Sequence, residues 1–548
     1  MNSTNKYRIT ATLALIICVG AATAQVPADT TKKRPSVDIT SSYKPVLRNA
    51  VKINLAASQM PADTNRSVAK YNVPSQNLFF SYQPISLKPL AMQQDTILNL
   101  GLRNYIKAGF GNLSTPYVSA GFSFGDGRKS LLNLYADYIS SKGLIKNQDY
   151  TQMNIKGTGS FFTEKNEFYA GAALSSNDYY QYGYDHALFN YKRDSVRMRY
   201  QDITLQAGLR NLKTGDVRLS YSPNLQVNIF NSDKRASESS LVLTAPVKVK
   251  FGDAFALNVE AKADITSYTT KELPSNIKIS NNVFSIAPSL MIEQPRFRIN
   301  GGIIPTWDNG KLVLLPNIYA EGQLQEKVFL IQAGWVGRYT KNTLRHLTSI
   351  NPWIQTINTQ QNTKEVELYG GIKATVGKHF NFSAKAGVVT FDNMPLFVND
   401  SLAGNSFYVV NESRAGALRI HGDMSYINQD RFTLTAGITF NGYAGLRDNA
   451  RAWGTVPMEL NASLRWWAFK QVLLKSDFYM FTGGAYKQKN VTGTGSGGTD
   501  LGLGAEFKIN KMFSAWLDVN NVFSSKYQRW HNYEVYGLNL LGGVRVNF

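Results

Sequence analysis

The chain has 548 residues, 43% of them apolar and 12% aromatic, with 43 glycines and a formal net charge of +21. Its mean hydropathy is nonetheless negative, −0.24, which excludes a helical membrane protein built from runs of about 20 apolar residues. The single cysteine, Cys18, excludes disulfide frameworks, thiolate metal sites and cysteine nucleophiles downstream of it.

At the N-terminus, Lys6 and Arg8 precede an apolar run from Ile9 to Val19. Ala22-Thr23-Ala24 then supplies small residues for a cut before Gln25. Residues 1–24 therefore predict a cleaved secretory signal, with Cys18 inside it. Ile17, directly before that cysteine, is not the small residue of a lipoprotein cleavage site. An exported chain rarely meets nucleic acid, and no basic run with interleaved aromatics stands out, so no nucleic-acid partner is expected. The positive charge instead suits a basic lumen and loops that face anionic lipopolysaccharide and outer-membrane lipid.

Residues 25–99 have a different texture. They hold 9 Lys or Arg against 4 Asp or Glu, with prolines at 27, 35, 45, 61, 74, 84 and 89. Short apolar patches such as Val51-Lys52-Ile53-Asn54-Leu55 lack a sustained period, so no independent domain is expected here. The segment is expected to dock in a lumen or on a periplasmic or lipoprotein partner.

From about Leu100 to Phe548 the sequence alternates. In Arg431–Asn441, Phe432, Leu434, Ala436, Ile438 and Phe440 share one face, and Thr433, Thr435, Gly437, Thr439 and Asn441 share the other. Val366–Val376 repeats the scheme with Glu365, Glu367 and Lys373 confined to one side. Such a dyad predicts strands between lipid and water. Tight turns are expected at Asp126-Gly127, Glu164-Lys165-Asn166, Thr214-Gly215-Asp216, Gly252-Asp253, Gln294-Pro295, Gln325-Glu326-Lys327, Gly377-Lys378, Asn428-Gln429-Asp430, Phe469-Lys470-Gln471 and Asn510-Lys511. Longer stretches, 176–198, 339–363, 391–405, 441–457 and the Gly-rich 482–498, lie between them. Short turns mark the periplasmic side and long loops the extracellular side.

Ten turns interleaved with eleven outer loops predict an all-β fold, a transmembrane antiparallel β-barrel of about 22 strands over 100–548, any even count from about 18 to 24 being compatible. Pro223, Pro246, Pro288, Pro305 and Pro316 fall in or near strands, where each removes a ladder donor, and predict kinks in one sector of the wall. The last strand, Val535 to Phe548, sets Leu538, Leu540, Gly542, Val544, Val546 and Phe548 on one face and ends on an aromatic.

The stretch from Phe513, with Trp516-Leu517-Asp518-Val519-Asn520-Asn521-Val522-Phe523, Lys526-Tyr527, Tyr533, Gly537 and terminal Phe548, resembles the end of TonB-dependent receptor barrels. The specific match covers about the last 40 residues, and twenty-two strands is also that family's number. The resemblance implies an outer-membrane receptor or transport barrel. Family members carry a plug domain before the barrel, longer than the 75 residues of 25–99, so a full plug is expected to be missing. Ser36-Val37-Asp38-Ile39-Thr40-Ser41 loosely resembles the family's segment for a TonB-type energising partner.

No catalytic, metal or cofactor residue is expected. His421 and Asp423 share a strand face, but one such pair among five histidines falls short of a catalytic site. Asp185-His186 lies on a loop, and His186, His346, His379, His421 and His531 show no ligand spacing. The run Thr492–Gly498 lacks the ending of a phosphate loop and predicts a flexible outer loop. Tyr138, Trp335, Tyr339, Trp466, Trp467, Tyr527 and Trp530 are expected in the interfacial girdles. Tyr179, Tyr180, Tyr182 and Tyr184 are candidates for a ligand platform. The expected function is passage of an unknown solute through a receptor-type barrel whose lumen is obstructed by 25–99, by loops folded inward or by a partner. The rival is a non-transporting barrel that anchors periplasmic or surface proteins.

Overall fold

The computed structural model describes residues 104–548 apart from 214–217, 234, 272–275, 326–328, 378 and 429–430. The predicted signal and the 25–99 segment lie outside the described residues. Twenty-two antiparallel staves form one closed ring. They begin with β1 (Tyr105–Gly111) and end with β22 (Asn539–Asn547), and these two pair from Tyr105↔Asn547 to Gly111↔Leu541. Phe548 and Asn104 add two backbone bonds, 3.0 and 3.2 Å, beyond that ladder. Closure pairs the two end staves with each other and so removes the bare edges that lipid cannot solvate. No helix among the described residues is long and apolar enough to cross a membrane.

The staves flanking each of the ten expected turns pair antiparallel. The prolines do not change the count. The seventh stave is split into Leu219–Tyr221 and Asn224–Ser232 at Ser222-Pro223. There the Leu209 N–H donates to the Pro223 carbonyl and Ser222 N–H to that of Pro246. Between Lys278–Glu293 and Phe297–Asp308 the ladder is open from Ser285↔Thr306 to Ser289↔Gly302, the interval that holds Pro288 and Pro305. Register is kept on both sides of the gap, so the wall bends without slipping.

Alternation works as the pattern requires. Leu368, Ile372 and Val376 turn outward and are exposed to lipid, while Glu365 and Glu367 on the same stave, β14 (Thr363–Val376), are buried inside. Near the periplasmic ends the outer face carries Phe124, Phe161, Phe168, Phe251, Phe255, Phe297, Phe329, Phe469, Phe507, Phe513 and Phe548. This inner-side belt is made mostly of Phe, where Tyr and Trp were expected. Replacing Leu368 by Arg at mid-stave should cost about 2–4 kcal/mol, against about 0–1 for Val376→Arg at the stave's periplasmic end. Urea unfolding of the two variants in lipid vesicles measures that depth dependence.

Two expectations about the outer side need correction. Residues 391–399 are not loop: β15 (Phe380–Asn399) and β16 (Phe407–Asn428) run 20 and 22 residues and stay paired to Asn399↔Phe407. Their surplus beyond a spanning length stands above the membrane because its inner face is covered by Ala452 and Trp453 from the next loop. Nor are all outer connections long. Asn309-Gly310 is a two-residue turn, with φ of 49° and 86° at the pair, as a tight hairpin demands.

Candidate functional site: a packed lid over the outer mouth

Four outer connections do not extend into solvent but meet one another. Tyr182 comes from the loop between β5 (Asn166–Tyr180) and β6 (Arg197–Asn211), and Leu344, Leu347, Ile350, Trp353, Ile354 and Ile357 from the loop between β13 (Phe329–Thr340) and β14. Phe397 and Phe407 come from the top of the β15–β16 hairpin, and Trp530 and Tyr533 from the loop before β22. All are buried in one cluster with the outer ends of β6 and its neighbours. Residues rooted at such separate points of a ring can touch only over its opening. The cluster therefore lies across the outer mouth.

Aromatic geometry holds this lid. Trp353 stacks on Tyr533 with ring centroids 3.8 Å apart and meets Tyr182 edge-on at 6.1 Å. Its Nε1 donates to the Tyr180 carbonyl at 2.9 Å. Tyr182 and Tyr533 are in turn edge to face at 4.9 Å, and their hydroxyls donate to the carbonyls of Glu534 and Asn405, at 2.7 and 2.5 Å. Buried phenols with satisfied hydroxyls are structural groups. This corrects the platform expectation: Tyr180, Tyr182 and Tyr184 are buried in the lid, and Tyr179 lies under it. Trp530 is likewise a lid residue, and Tyr527 is buried in a separate cluster with Val456, Tyr479 and Phe481, donating to Asp500 at 2.8 Å, so neither is a girdle residue. Tyr138, Trp335 and Trp466 are exposed on the outer wall as expected.

The loop 341–362 is the longest part of the lid and carries a short helix, Leu344–Ile350, whose preceding Thr343 caps it by accepting from His346 N–H. It leaves β13 and fastens to the wall several staves away. Lys341 Nζ reaches Asp264 Oδ1 and Thr266 Oγ1, both at 2.6 Å. Arg345 Nε donates to Asp202 at 2.8 Å, and Glu238 accepts from the Leu344 N–H at 2.7 Å and from Gln360 Nε2 at 3.1 Å. Tyr200 and Tyr268 hydroxyls donate to the carbonyls of Pro352 and Ile357.

A second loop, 445–457, is pinned by Glu412. This fully buried carboxylate accepts from the backbone N–H groups of Arg447, Asp448 and Asn449. The Gly-rich stretch, expected as a flexible loop, folds over Val491–Thr494 as a hairpin with Ala485–Gln488. A Cβ on Gly483 would collide with the Gly495 carbonyl oxygen, so the glycines permit close backbone approach.

Below the lid, β13 to β16 carry an ion network facing inward. Glu365 is bound by Arg338 and, at 2.5 Å, by Arg419. Glu367 has Lys385 at 3.2 Å, Arg338 at 3.6 Å and Arg419 at 3.7 Å. A second inward group joins Lys107, Asp518, Lys475, Glu506 and Arg545 across the closure seam.

The histidines do not come together. His421 bridges Asp423 at 2.6 Å and Thr439 at 2.9 Å inside the barrel. His379 meets the Ile427 carbonyl at the other end. His186, His346 and His531 are separate parts of the outer loops, His531 stacked on Tyr486 at 3.6 Å. Among the described residues no group of three His, Cys, Asp or Glu could hold a metal ion.

Burial, reinforced by the adjacent Arg345 charge, holds the His346 imidazole down at about 4. A base so depressed contributes stability that is complete above its ordinary value near 6.5 and is lost as pH falls from there toward 4. Acidification over that window should loosen the lid by roughly 3 kcal/mol. Protease cleavage within 341–362 should accelerate below pH 6.5 in the parent, and His346→Asn should flatten the profile.

No protein-family model matches the sequence, and no curated protein matches it. Solved structures do resemble it. The ferric enterobactin receptor PfeA of Pseudomonas aeruginosa aligns with a TM-score of 0.62 at 12% identity, covering 81% of each chain. The FrpB iron transporter of Neisseria meningitidis gives 0.62 at 11%, again over 81% of each. The copper transporter OprC gives 0.59 at 13%, over 81% of this chain and 80% of that one. At these identities the likeness concerns the fold: an outer-membrane barrel of twenty-two strands.

Proposed function

We propose that the chain is a receptor or transport-type barrel that admits a small solute from the cell exterior, with the lid as its outer gate. One observation carries this. A ring of this size exceeds what wall side chains can fill, its inner face is polar and charged, and what closes it is a set of loops across one end. A barrel that only anchors partners has no need of a gate.

The resemblance to receptors and transporters described for ferric enterobactin, iron and copper supports the reading. On it, the chain is no hydrolase: His421 and Asp423 hold each other and Thr439 within the wall. Residues 25–99 then serve the periplasmic side, and the segment 36–41 is the place for a TonB-type energising contact.

The test is conductance in planar bilayers, with and without residues 25–99. The full chain should stay closed, and removal of 344–361 should open it. A ring without 344–361 and without 25–99 that carries no current overturns transport and leaves the anchoring role.

A further inference from the structure

We propose that loop 341–362 is a displaceable gate that occupies, from within the same chain, an inlet for organic cations bearing ammonium or guanidinium groups. This rests on the transport reading above and names the solute class.

The inlet is set by strand register. Asp202 of β6 lies opposite Phe230, Phe230 opposite Glu238, and Glu238 opposite Tyr268. These four therefore form one row across adjacent staves at the outer end of the inner wall. Asp264 lies two inward positions deeper on the Tyr268 stave. Three carboxylates thus face the mouth from one sector, and in the closed protein two of them hold cations supplied by the loop. Lys341 contributes an ammonium to Asp264 and Thr266. Arg345 contributes a guanidinium whose Nη2 is 2.7 Å from Asp202 and 3.3 Å from Thr204 Oγ1. Among the described residues Glu238 receives neutral donors, including the N–H groups of Leu344 and Arg345.

The occupation is imperfect. Gln360 is nine-tenths buried and bonded through Nε2 to Glu238, yet its Oε1 has no partner among the described residues. Asp202 Oδ1 and Asn342 Oδ1 are buried in the same region without partners among the described residues. Each such atom makes the closed state less favourable than a fully bonded interface. Opening exposes carboxylates that the loop otherwise fills, so a cation binds the open ring better than the closed one. That differential affinity is what a ligand needs to shift the equilibrium. A solute with ammonium or guanidinium groups would then replace Lys341 and Arg345 on Asp264 and Asp202, and pass Glu238 as it enters.

Spermine is the probe and citrate the anionic control, each added to the extracellular side of the full chain in a planar bilayer. Spermine should raise the open probability and citrate should not. The variant Lys341→Gln/Arg345→Gln should be open more often without any probe, by about tenfold for each ion pair removed. Asp202→Asn/Asp264→Asn should no longer respond to spermine. An independent readout uses Cys18→Ser with Leu347→Cys, since Leu347 is buried in the lid: spermine should accelerate maleimide labelling several-fold over the same variant without spermine.

If the ring without 344–361 conducts but spermine changes neither opening nor labelling, or acts equally on the Asp→Asn variant, the cation inlet is overturned and transport stands. If that ring never conducts, both fall.

Discussion

Trp353→Ala should open the lid while leaving the barrel intact. Trp353 is 2% exposed, stacks on Tyr533, meets Tyr179 and Tyr182 edge-on and anchors its indole N–H on Tyr180. Truncation removes an aromatic core residue whose loss costs about 3–5 kcal/mol at such sites, and strips Tyr533 of its stacking partner. The lid's backbone pairing at this point is short, the Ile354–Phe407 bridge and the Gln528–Trp530 hairpin with Tyr533–Glu534, and spreads little of that loss. The expected result is a large rise in bilayer conductance and in protease cutting of 341–362. The heat-modifiable gel mobility that reports a closed barrel should be unchanged. Trp353→Phe, which keeps the stack and loses the Tyr180 bond, should give a small fraction of the effect. A Trp353→Ala protein with parent conductance would show that the cluster does not seal the mouth.

The second large effect lies in the wall. Arg419→Ala removes one of the two cations, the other being Arg338, that touch both Glu365 and Glu367, two carboxylates on one stave with side chains 12% and 2% exposed. A buried ion pair that loses one partner outright is destabilised by about 3–5 kcal/mol; here Arg338 and Lys385 stay on the two carboxylates, so the loss should fall below that range. Arg419 also donates to Asn441 at 3.1 Å, so the damage reaches β17 (Phe432–Ala444). Urea unfolding in vesicles, followed by tryptophan fluorescence, should show the loss. Replacing Arg419 by Met together with Glu365 by Gln should recover most of it, since the pair is then removed as a unit. If single and double variants unfold alike, the network is ornamental.

How much of this was legible before the structure depends on distance along the chain. Staves and turns follow from period two and from local turn chemistry, so Asp126-Gly127 or Asn510-Lys511 can be read from a few neighbours. Even the prolines kept the count, because Ser222-Pro223 and Ala287-Pro288 break pairing without moving register. The lid was not legible. Tyr182, Trp353 and Tyr533 sit on three loops, and nothing in any one of them shows that the others lie against it. A tyrosine-rich loop therefore read as a surface for cargo when it is core. The tall β15–β16 hairpin hid for a related reason: its alternation continues past the membrane, and only the covering Trp453 loop explains why. Ser349 and His346 differ in burial on one short helix, a distinction that sequence spacing alone does not make.

The ladder between β1 and β22 joins residue 105 to residue 547. No other stave can stand in for either member, since each is already paired on its remaining side. The ring consequently stays open, with two bare edges, until residues 539–547 have been delivered to the membrane that holds it. Such edges invite pairing with foreign strands, and contacts this remote form slowly. Biogenesis must therefore include a waiting period in which an almost complete wall is shielded, and shortening the chain by even the last stave should leave a protein that never leaves that state.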